Sequence, residues 1–377
     1  MKSAAYDVAI IGAGIVGAAC AYECAQRALR VAVLESEMIG GGATAAGMGH
    51  IVAMDDSDAQ FALTRYSQTL WQELRPELPA DVEYEQCGTI WIAADDEEMA
   101  EVSRKGTYYG RSNVPVEALN SAELERFEPN LRKGMAGGLL VPDDAVLYPP
   151  CAAQFLIENA RTKGATLYQG TAVAKIGRGQ VQLADGSTIS AAAIVNAAGT
   201  WAPMLTPGIN VKKRKGHLVI TDRYPGFVRH QLVELGYLKS AHSTMSDSVA
   251  FNVQPRQTGQ LLIGSSRQYG AEHKEVDQEI MRRMLQRAQY YLPGLAQTLA
   301  IRTWTGFRAA TPDKLPLIGP WPGDTTIYLA TGHEGLGITT SLATGRLIAD
   351  QITGRPSAIP IEPYLPSRVM SPEHAHA

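Results

Sequence analysis

Cysteine is scarce in this chain: Cys20, Cys24, Cys87 and Cys151 are all that 377 residues contain. Cys20 and Cys24 fall at i and i+4 of an Ala-rich stretch, but a metal pair there would need further Cys or His nearby, and the sequence supplies none. The four thiols are read as small buried side chains, and no metal is expected. Positive charge is not in excess either. Charged residues are 19% and the formal net charge is -4, which excludes the broad cationic surface that neutralises nucleic acid phosphates. No apolar run approaches the roughly 18 to 20 residues that span a bilayer. The opening MKSAAYDVAIIGAG passes from one lysine into a β-rich run with no small-residue cleavage site, so it reads as a first strand and not a signal peptide. These absences predict a soluble, cytoplasmic protein, with contact to the inner membrane face only as a peripheral association. Internal repeats and low-complexity tracts are also missing.

What is present is apolar bulk: 45% of the residues are hydrophobic, enough for two ordinary domains with real cores. YDVAII, a glycine turn, an Ala-rich helix over residues 15–28 and VAVL form a βαβ opening with a right-handed crossover. Helices are predicted over residues 59–78 and 97–109, with the strand-like GTIWIAA between them. From residue 147 the α/β pattern returns, with a helix in PPCAAQFLIENARTKG, a hairpin at Asp185-Gly186 and the apolar strand AAAIVNAAG. HLVITD, LVELGYL, SVAFNVQP and QLLIGSS then read as an antiparallel sheet, followed by an amphipathic helix over residues 276–292. The basic run at residues 212–215 reads as a solvated loop before a strand. TIYLATG and a helix ending near Ile352 close the chain. The expected division is a parallel-sheet domain from residues 1–60, 145–210 and 305–365. A second domain takes residues 61–144 and 211–304, and residues 366–377 form a tail.

Chemistry enters with GAGIVG. Gly12, Gly14 and Gly17 follow a strand and open a helix whose first residues include Ile15 and Val16. Gly12 permits the tight turn, Gly14 lets backbone approach a pyrophosphate, and Gly17 lets helix and strand pack closely. The helix N-terminus offers N–H groups and a positive dipole end to phosphates. Glu35, about 20 residues on, is placed to accept hydrogen bonds from ribose hydroxyls. A dinucleotide is therefore expected.

Which dinucleotide is decided further along. GGGATAAGMGH, residues 40–50, has almost no side-chain bulk, and suits backbone lying along a flat, extended ligand. AIVNAAGTWA ends another strand in small residues, and GHEGLGITT repeats the glycine turn before a helix near the C-terminus. Three further close approaches are more than a nicotinamide enzyme needs.

Together, GAGIVG with Glu35, the ATAAGM loop, VNAAGTWA, TGFRAATPDKLPLIGP and GHEGLGITTSLATGRLIAD resemble the D-amino-acid oxidase superfamily of FAD enzymes, in order and over nearly the whole chain. Glycine oxidase, sarcosine oxidase and bacterial D-amino-acid dehydrogenases belong to it, and the GHEGLGITT ending is most similar to bacterial D-hydroxyproline dehydrogenases. The resemblance implies an α/β FAD-binding domain of the Rossmann-like, glutathione-reductase type, interleaved with an α+β substrate domain on an antiparallel sheet. It implies that Gly12, Gly14, Gly17, Glu35 and Ser36 hold the ADP half of FAD. Thr44, Ala45, Gly47 and Met48 would lie along the pyrophosphate and flavin, Val173 against the adenine, and Ala198, Gly199 and Trp201 in the second cofactor loop. Gly332, Gly335, Leu336, Gly337, Ile338 and Thr339 would close on the isoalloxazine ring, where a helix N-terminus stabilises negative charge.

Arg308 matches the family arginine that pairs with the substrate carboxylate, a task suited to a planar guanidinium with two parallel donors. The activity implied is oxidation of a small or cyclic D-amino acid, such as D-hydroxyproline or D-proline, to the imine by hydride transfer from Cα to flavin N5. Orientation supplies much of the rate, and no side-chain base is required. His50 and His333 flank the glycine loops as further catalytic candidates. His217, Tyr237, Tyr269 and Trp304 are candidates for the substrate side. Two departures from the family stand out. GHEGLG lacks the arginine that glycine oxidase carries in this turn, and TPDKLPLIGP lacks the cysteine that holds FAD covalently in sarcosine oxidases, so noncovalent FAD is expected. The alternatives are a glycine or sarcosine type oxidase producing hydrogen peroxide, or a flavin subunit of an electron-transfer complex. The partners implied are an amino acid, an electron acceptor (a quinone, another redox protein or oxygen), and a homo- or hetero-oligomeric assembly.

Overall fold

The computed structural model describes residues 5–236 and 247–369, and the chain divides into two compact units. Unit one comprises Met1–Val82, Tyr148–Lys213 and Phe307–Ala377; unit two comprises Glu83–Leu147 and Arg214–Gly306. The first break thus falls after Val82 and not near residue 60. The reason is that the helix Asp58–Leu74 packs on the C-terminal helix Gly337–Thr353: Ala343 N–H donates to Ser67 Oγ at 3.2 Å. The expected tail is shorter too, because Arg368 Nε binds Asp313 Oδ2 at 2.7 Å and holds residues 366–369 on unit one.

Unit one is built on a sheet whose order from edge to edge is Leu317–Trp321, Asp324–Thr331, Thr188–Asn196, Tyr6–Ile11, Val31–Glu35 and Thr166–Gln169. Tyr6–Ile11 pairs in parallel with both neighbours, and Thr188–Asn196 pairs in parallel with Asp324–Thr331. A strand flanked this way is buried on both faces, and Val8, Ala9 and Ile10 are inaccessible to solvent. Parallel pairing sends the C-terminal ends of Tyr6–Ile11, Val31–Glu35, Thr188–Asn196 and Asp324–Thr331 to one edge, where an open α/β sheet binds its ligands.

The fingerprint helix is Ile15–Gln26, two residues shorter than its sequence pattern, because Ala28 turns to a positive φ of 57°. It packs on the terminal helix Gly337–Thr353 with little between them: a Cβ on Gly345 would lie 2.5 Å from Ala19 O. Behind this contact runs a chain of charges. Arg27 binds Glu23 Oε2 at 2.8 Å and Asp350 Oδ1 at 2.5 Å, and Arg346 Nε binds the same Glu23 oxygen at 2.6 Å. Glu23 and Asp350 are buried, so each carboxylate depends on its guanidinium.

Unit two carries an eight-stranded sheet in the order Ala300–Ala310, Lys212–Arg223, Gln260–Arg267, Ser248–Pro255, Gln231–Glu234, Thr89–Ala93, Gly137–Val141 and Glu117–Asn120. It is mixed and not purely antiparallel, since Gln231–Glu234 runs parallel to Thr89–Ala93. One face, with Ile90, Leu232, Phe251, Val253 and Ile263, packs against Met281, Met284 and Tyr291 of the amphipathic helix Gln278–Tyr291. The Phe251 and Tyr291 rings stack at 4.4 Å between centroids.

The basic run is a correction to the sequence reading. Residues 212–215 begin a strand, and Lys215 is fully buried there. Its backbone pairs with Gln268 through hydrogen bonds of 3.0 and 2.9 Å, while the Arg214 guanidinium lies 4.7 Å from the Tyr269 ring centroid. Sheet pairing and an aromatic face accommodate what charge alone would send to solvent. No helix among the described residues is long and apolar enough to cross a membrane.

Removing Glu23 leaves Arg27 and Arg346 without their shared acceptor. Glu23→Ala is expected to lower unfolding stability by about 3 kcal/mol, measured as a shift of the urea midpoint at constant slope; a shift within error would show that the network contributes nothing.

Candidate active site

The fingerprint turn is formed by contacts that leave no room for side chains. Gly12 has φ +98°, and a Cβ there would lie 2.8 Å from Ala197 O. A Cβ on Gly17 would lie 1.9 Å from Gly12 O, so this helix can start where it does only with glycine. Gly14 caps the helix in an extended conformation, and Ile15 N–H donates to Thr44 Oγ1 at 3.0 Å. Thr44 thereby satisfies one of the donors that a helix start leaves open. Thr44 and Ala45 belong to a short helical turn, Gly42–Ala45, where the composition alone reads as loop.

Glu35 ends its strand, with Ser36 exposed beside it. Its Oε2 accepts from Ala13 N–H at 2.7 Å and its Oε1 from Glu37 N–H at 2.8 Å. Ser36 Oγ also donates to Oε1, at 3.5 Å, and Oε2 keeps a second lone pair. The carboxylate is thus fixed beside the glycine turn with acceptor capacity for a ribose diol.

The third loop follows Thr188–Asn196. Asn196 Nδ2 donates to Ala202 O at 3.0 Å and to Thr206 Oγ1 at 3.1 Å, and its Oδ1 accepts from Ala198 N–H at 3.2 Å. Thr331 Oγ1 donates to Gly199 O at 2.8 Å, tying this loop to the end of the neighbouring strand. Gly199 takes φ +56°, and Trp201 is 43% exposed. Val173 packs on the same apolar cluster as Ala198. Asn196 and Thr331 were missed in the sequence, although a polar residue inside the apolar run AIVNAAG is the kind of signal that finds them.

The terminal turn completes the edge. Gly332 has φ +81°, and a Cβ there would meet Thr311 Cγ2 at 2.6 Å. Glu334 takes a left-handed φ of 50° and donates its N–H to Ala309 O at 2.8 Å. Leu336 caps the helix Gly337–Thr353. A Cβ on Gly47 would lie 2.6 Å from Ile338 Cδ1, and one on Gly337 3.8 Å from Val16 Cγ2, so this turn adjoins both the small-residue segment and the fingerprint helix. Thr339 Oγ1 donates to His50 O at 2.8 Å, and buried Met48 lies two residues before it. Arg308, half-buried on Ala300–Ala310, reaches the same place: a Cβ on Gly335 would lie 3.7 Å from its Nε.

His333 is 7% exposed, with Nε2 2.9 Å from Thr344 Oγ1. Thr344 gives its own proton to Thr340 O at 2.8 Å, so it accepts from the histidine, and the imidazole is the Nε2–H tautomer. Burial pushes the His333 pKa down to about 3. His50 is half-buried on the strand His50–Ile51. His217, Tyr269 and Trp304 lie in unit two. His217 accepts from Asp277 N–H at 3.0 Å and faces Ser266 Oγ at 2.9 Å, and Tyr269 carries the Arg214 stack. Tyr237 falls outside the described residues.

These features bring the fingerprint turn, Glu35, residues 42–50, residues 197–201, the terminal turn and Arg308 together on unit one. Two helix N-termini and a guanidinium give the edge a positive field, and glycines or alanines stand where a side chain would fill the cradle. The residues fit a long dinucleotide with a flat ring system, as FAD is. No group of three or more potential metal ligands occurs among the described residues.

Because His333 stays neutral when folded and takes a proton when unfolded, acid favours unfolding from pH 6.5 downward towards pH 3. Between pH 7 and pH 5 this removes about 2 kcal/mol of stability. His333→Gln should be flatter by that amount when urea unfolding is compared at the two pH values; identical slopes would place the titration elsewhere.

Comparison with known proteins gives the same answer from another direction. Residues 7–351 match the family model described as DAO, FAD dependent oxidoreductase. Glycine oxidase from Geobacillus kaustophilus (strain HTA426) is 30% identical over 374 residues, covering 95% of this chain and 96% of the relative. The crystal structure of glycine oxidase from that species superposes with a TM-score of 0.87 over 97% of this chain and 99% of its own, at 29% identity. The structure of L-proline dehydrogenase from P. horikoshii gives a TM-score of 0.86 at 25% identity, covering 96% of this chain and 97% of its own. Fold, cofactor and chemistry class converge, and the chain belongs to the DAO family of FAD dependent oxidoreductases, enzymes that oxidise carbon–nitrogen donors.

Proposed function

We propose that this chain oxidises a small or cyclic D-amino acid, such as D-hydroxyproline or D-proline, at its Cα–N bond to the imine. The observation that carries the reading is Arg308 against the Gly335 turn, a guanidinium beside a helix N-terminus at the edge where the glycine loops meet. Bound FAD supplies the two-electron acceptor.

The positions of the residues support the following roles. Gly12, Gly14 and Gly17 admit the pyrophosphate, and Glu35 accepts from the ribose hydroxyls. Thr44, Ala45, Gly47 and Met48 lie along the cofactor, as do Ala198, Gly199 and Trp201. The N-terminus of Gly337–Thr353 would offer N–H groups to the ring end of the bound cofactor. Arg308 holds the substrate carboxylate in a bidentate pair and so fixes its position and orientation. His333, kept neutral by burial and bonded to Thr344, holds the turn in place. No side chain at this edge has to act as base if the amine binds neutral.

A glycine or sarcosine type oxidase is the second reading, favoured by the glycine oxidase relatives. The two differ in substrate and in electron acceptor.

Purified protein is expected to be yellow and to release all its flavin on acid denaturation, since the match to the covalent attachment region has no cysteine. An anaerobic screen of D- and L-amino acids, cyclic imino acids and N-methylglycines should bleach the flavin most rapidly with a cyclic D-amino acid. Fastest bleaching by glycine or sarcosine, with peroxide formed in air, would establish the second reading instead. Arg308→Ala should raise KM about ten- to hundred-fold, and an unchanged KM would remove the clamp.

A further inference from the structure

The terminal turn of unit one carries a glycine that its backbone does not require. Gly332 is held to glycine by its φ of +81° and by Thr311 Cγ2, 2.6 Å from where a Cβ would stand. Glu334 takes φ +50°, a left-handed conformation that glycine adopts without steric cost and glutamate does not. Its neighbour Gly335 has a φ outside that region. Apart from its chain neighbours, a Cβ on Gly335 would meet within 4 Å, among the described residues, only Arg308 Nε at 3.7 Å and Arg308 Cδ at 3.8 Å. Both are ordinary van der Waals separations. Backbone strain thus asks for glycine at 334 and packing permits a side chain at 335, yet the sequence has them the other way round.

What the missing side chain leaves is space, and the direction of that space indicates its use. Gly335 is exposed, so the space opens outward and is not a sealed void. A glycine that lets a ligand approach turns its bare side to that ligand. Here the bare side is turned to the Arg308 side chain, whose stem offers an apolar wall below the proposed carboxylate clamp. Cα is bonded to the carboxylate carbon, so whatever Cα bears lies beside the clamp. A side chain at 335 would compete with it for volume. Glycine as a substrate has nothing to place there, whereas a ring closed between Cα and nitrogen has several methylenes.

We infer that the bare position at 335 admits the Cα substituent of the substrate, and that Gly335 is the specificity-determining residue for its size. The substrate class is then an amino acid with an apolar or ring-closed substituent next to its carboxylate. The inference rests on the amino acid oxidation and the Arg308 clamp proposed above and narrows the substrates that the clamp serves.

Gly335→Ala and Gly335→Val refill the space in two steps, the first at a distance that the turn already tolerates. In the FAD-loaded enzyme, binding is read from the change in flavin absorbance on adding two unreactive carboxylates, acetate and cyclopentanecarboxylate. Turnover is read from anaerobic bleaching by glycine and by D-proline. The ratio of Kd for cyclopentanecarboxylate to that for acetate should rise about ten-fold or more in Gly335→Val and less in Gly335→Ala. The kcat/KM ratio of D-proline to glycine should fall in the same order. Flavin content and Tm of Gly335→Ala should match the parent, because its Cβ introduces neither strain nor overlap. Unmoved ratios in both variants would show that the space is not the substrate's, and flavin lost from Gly335→Ala would show that the bare position serves the cofactor; either overturns the inference and leaves the oxidation standing. A parent enzyme bleached by glycine or sarcosine alone overturns it as well. If no amino acid bleaches the parent, the oxidation reading falls and this inference with it.

Discussion

The distance between two helix backbones governs this molecule's chemistry. The fingerprint helix and the terminal helix start at different loops of the same sheet edge, and they cross where Gly345 meets the Ala19 carbonyl. No side chain larger than hydrogen fits between them. In the proposed reading each helix start faces one part of a single long cofactor, and this contact sets the spacing of the two starts. Ala18, Ala19, Ala21 and Ala25 give the fingerprint helix a surface without bulk, which explains why a helix of such weak amphipathic pattern is buried on nearly all sides.

Charge reinforces that spacing. Glu23 and Asp350 come from the two helices, and Arg27 bridges them below the glycine contact. A buried ion network adds little net stability over an apolar replacement, but it tolerates only one register. At the other end of the same helices, polar side chains hold loops and not charges. Thr44 receives Ile15 N–H, Thr331 reaches Gly199, and Thr339 reaches His50 O. Each threonine joins segments that are distant in the chain and adjacent at the edge.

Much of unit one was legible in the sequence, because glycines at fixed spacing record where backbone must pass backbone or ligand. The strand Tyr6–Ile11 has the bounds its pattern gives, and the helix Gly337–Thr353 ends one residue beyond its expected stop, with Gly354 in the left-handed conformation. What escaped were features whose cause is tertiary. Lys215 looks solvated by composition, yet strand pairing with Gln268 buries it. The helix Asp58–Leu74 has no local mark that assigns it to unit one, and only its packing on the terminal helix does so. Asn196 shows in the sequence as an interruption of an apolar run, but its three hydrogen bonds become visible only when residues 198–206 fold back on it.

Glu334 N–H is held by Ala309 O, and His333 pairs with Ala310, so the terminal turn hangs on the two residues that follow Arg308. The guanidinium and the helix start it adjoins are therefore parts of one hydrogen-bonded piece, although 29 positions separate Arg308 from Gly337. If the strand slides, both slide together, and the gap between the proposed carboxylate clamp and the proposed ring site is preserved. Change in what the enzyme accepts can then come from side chains elsewhere without disturbing that gap, which gives a family with one chemistry a mechanical reason to serve many amines.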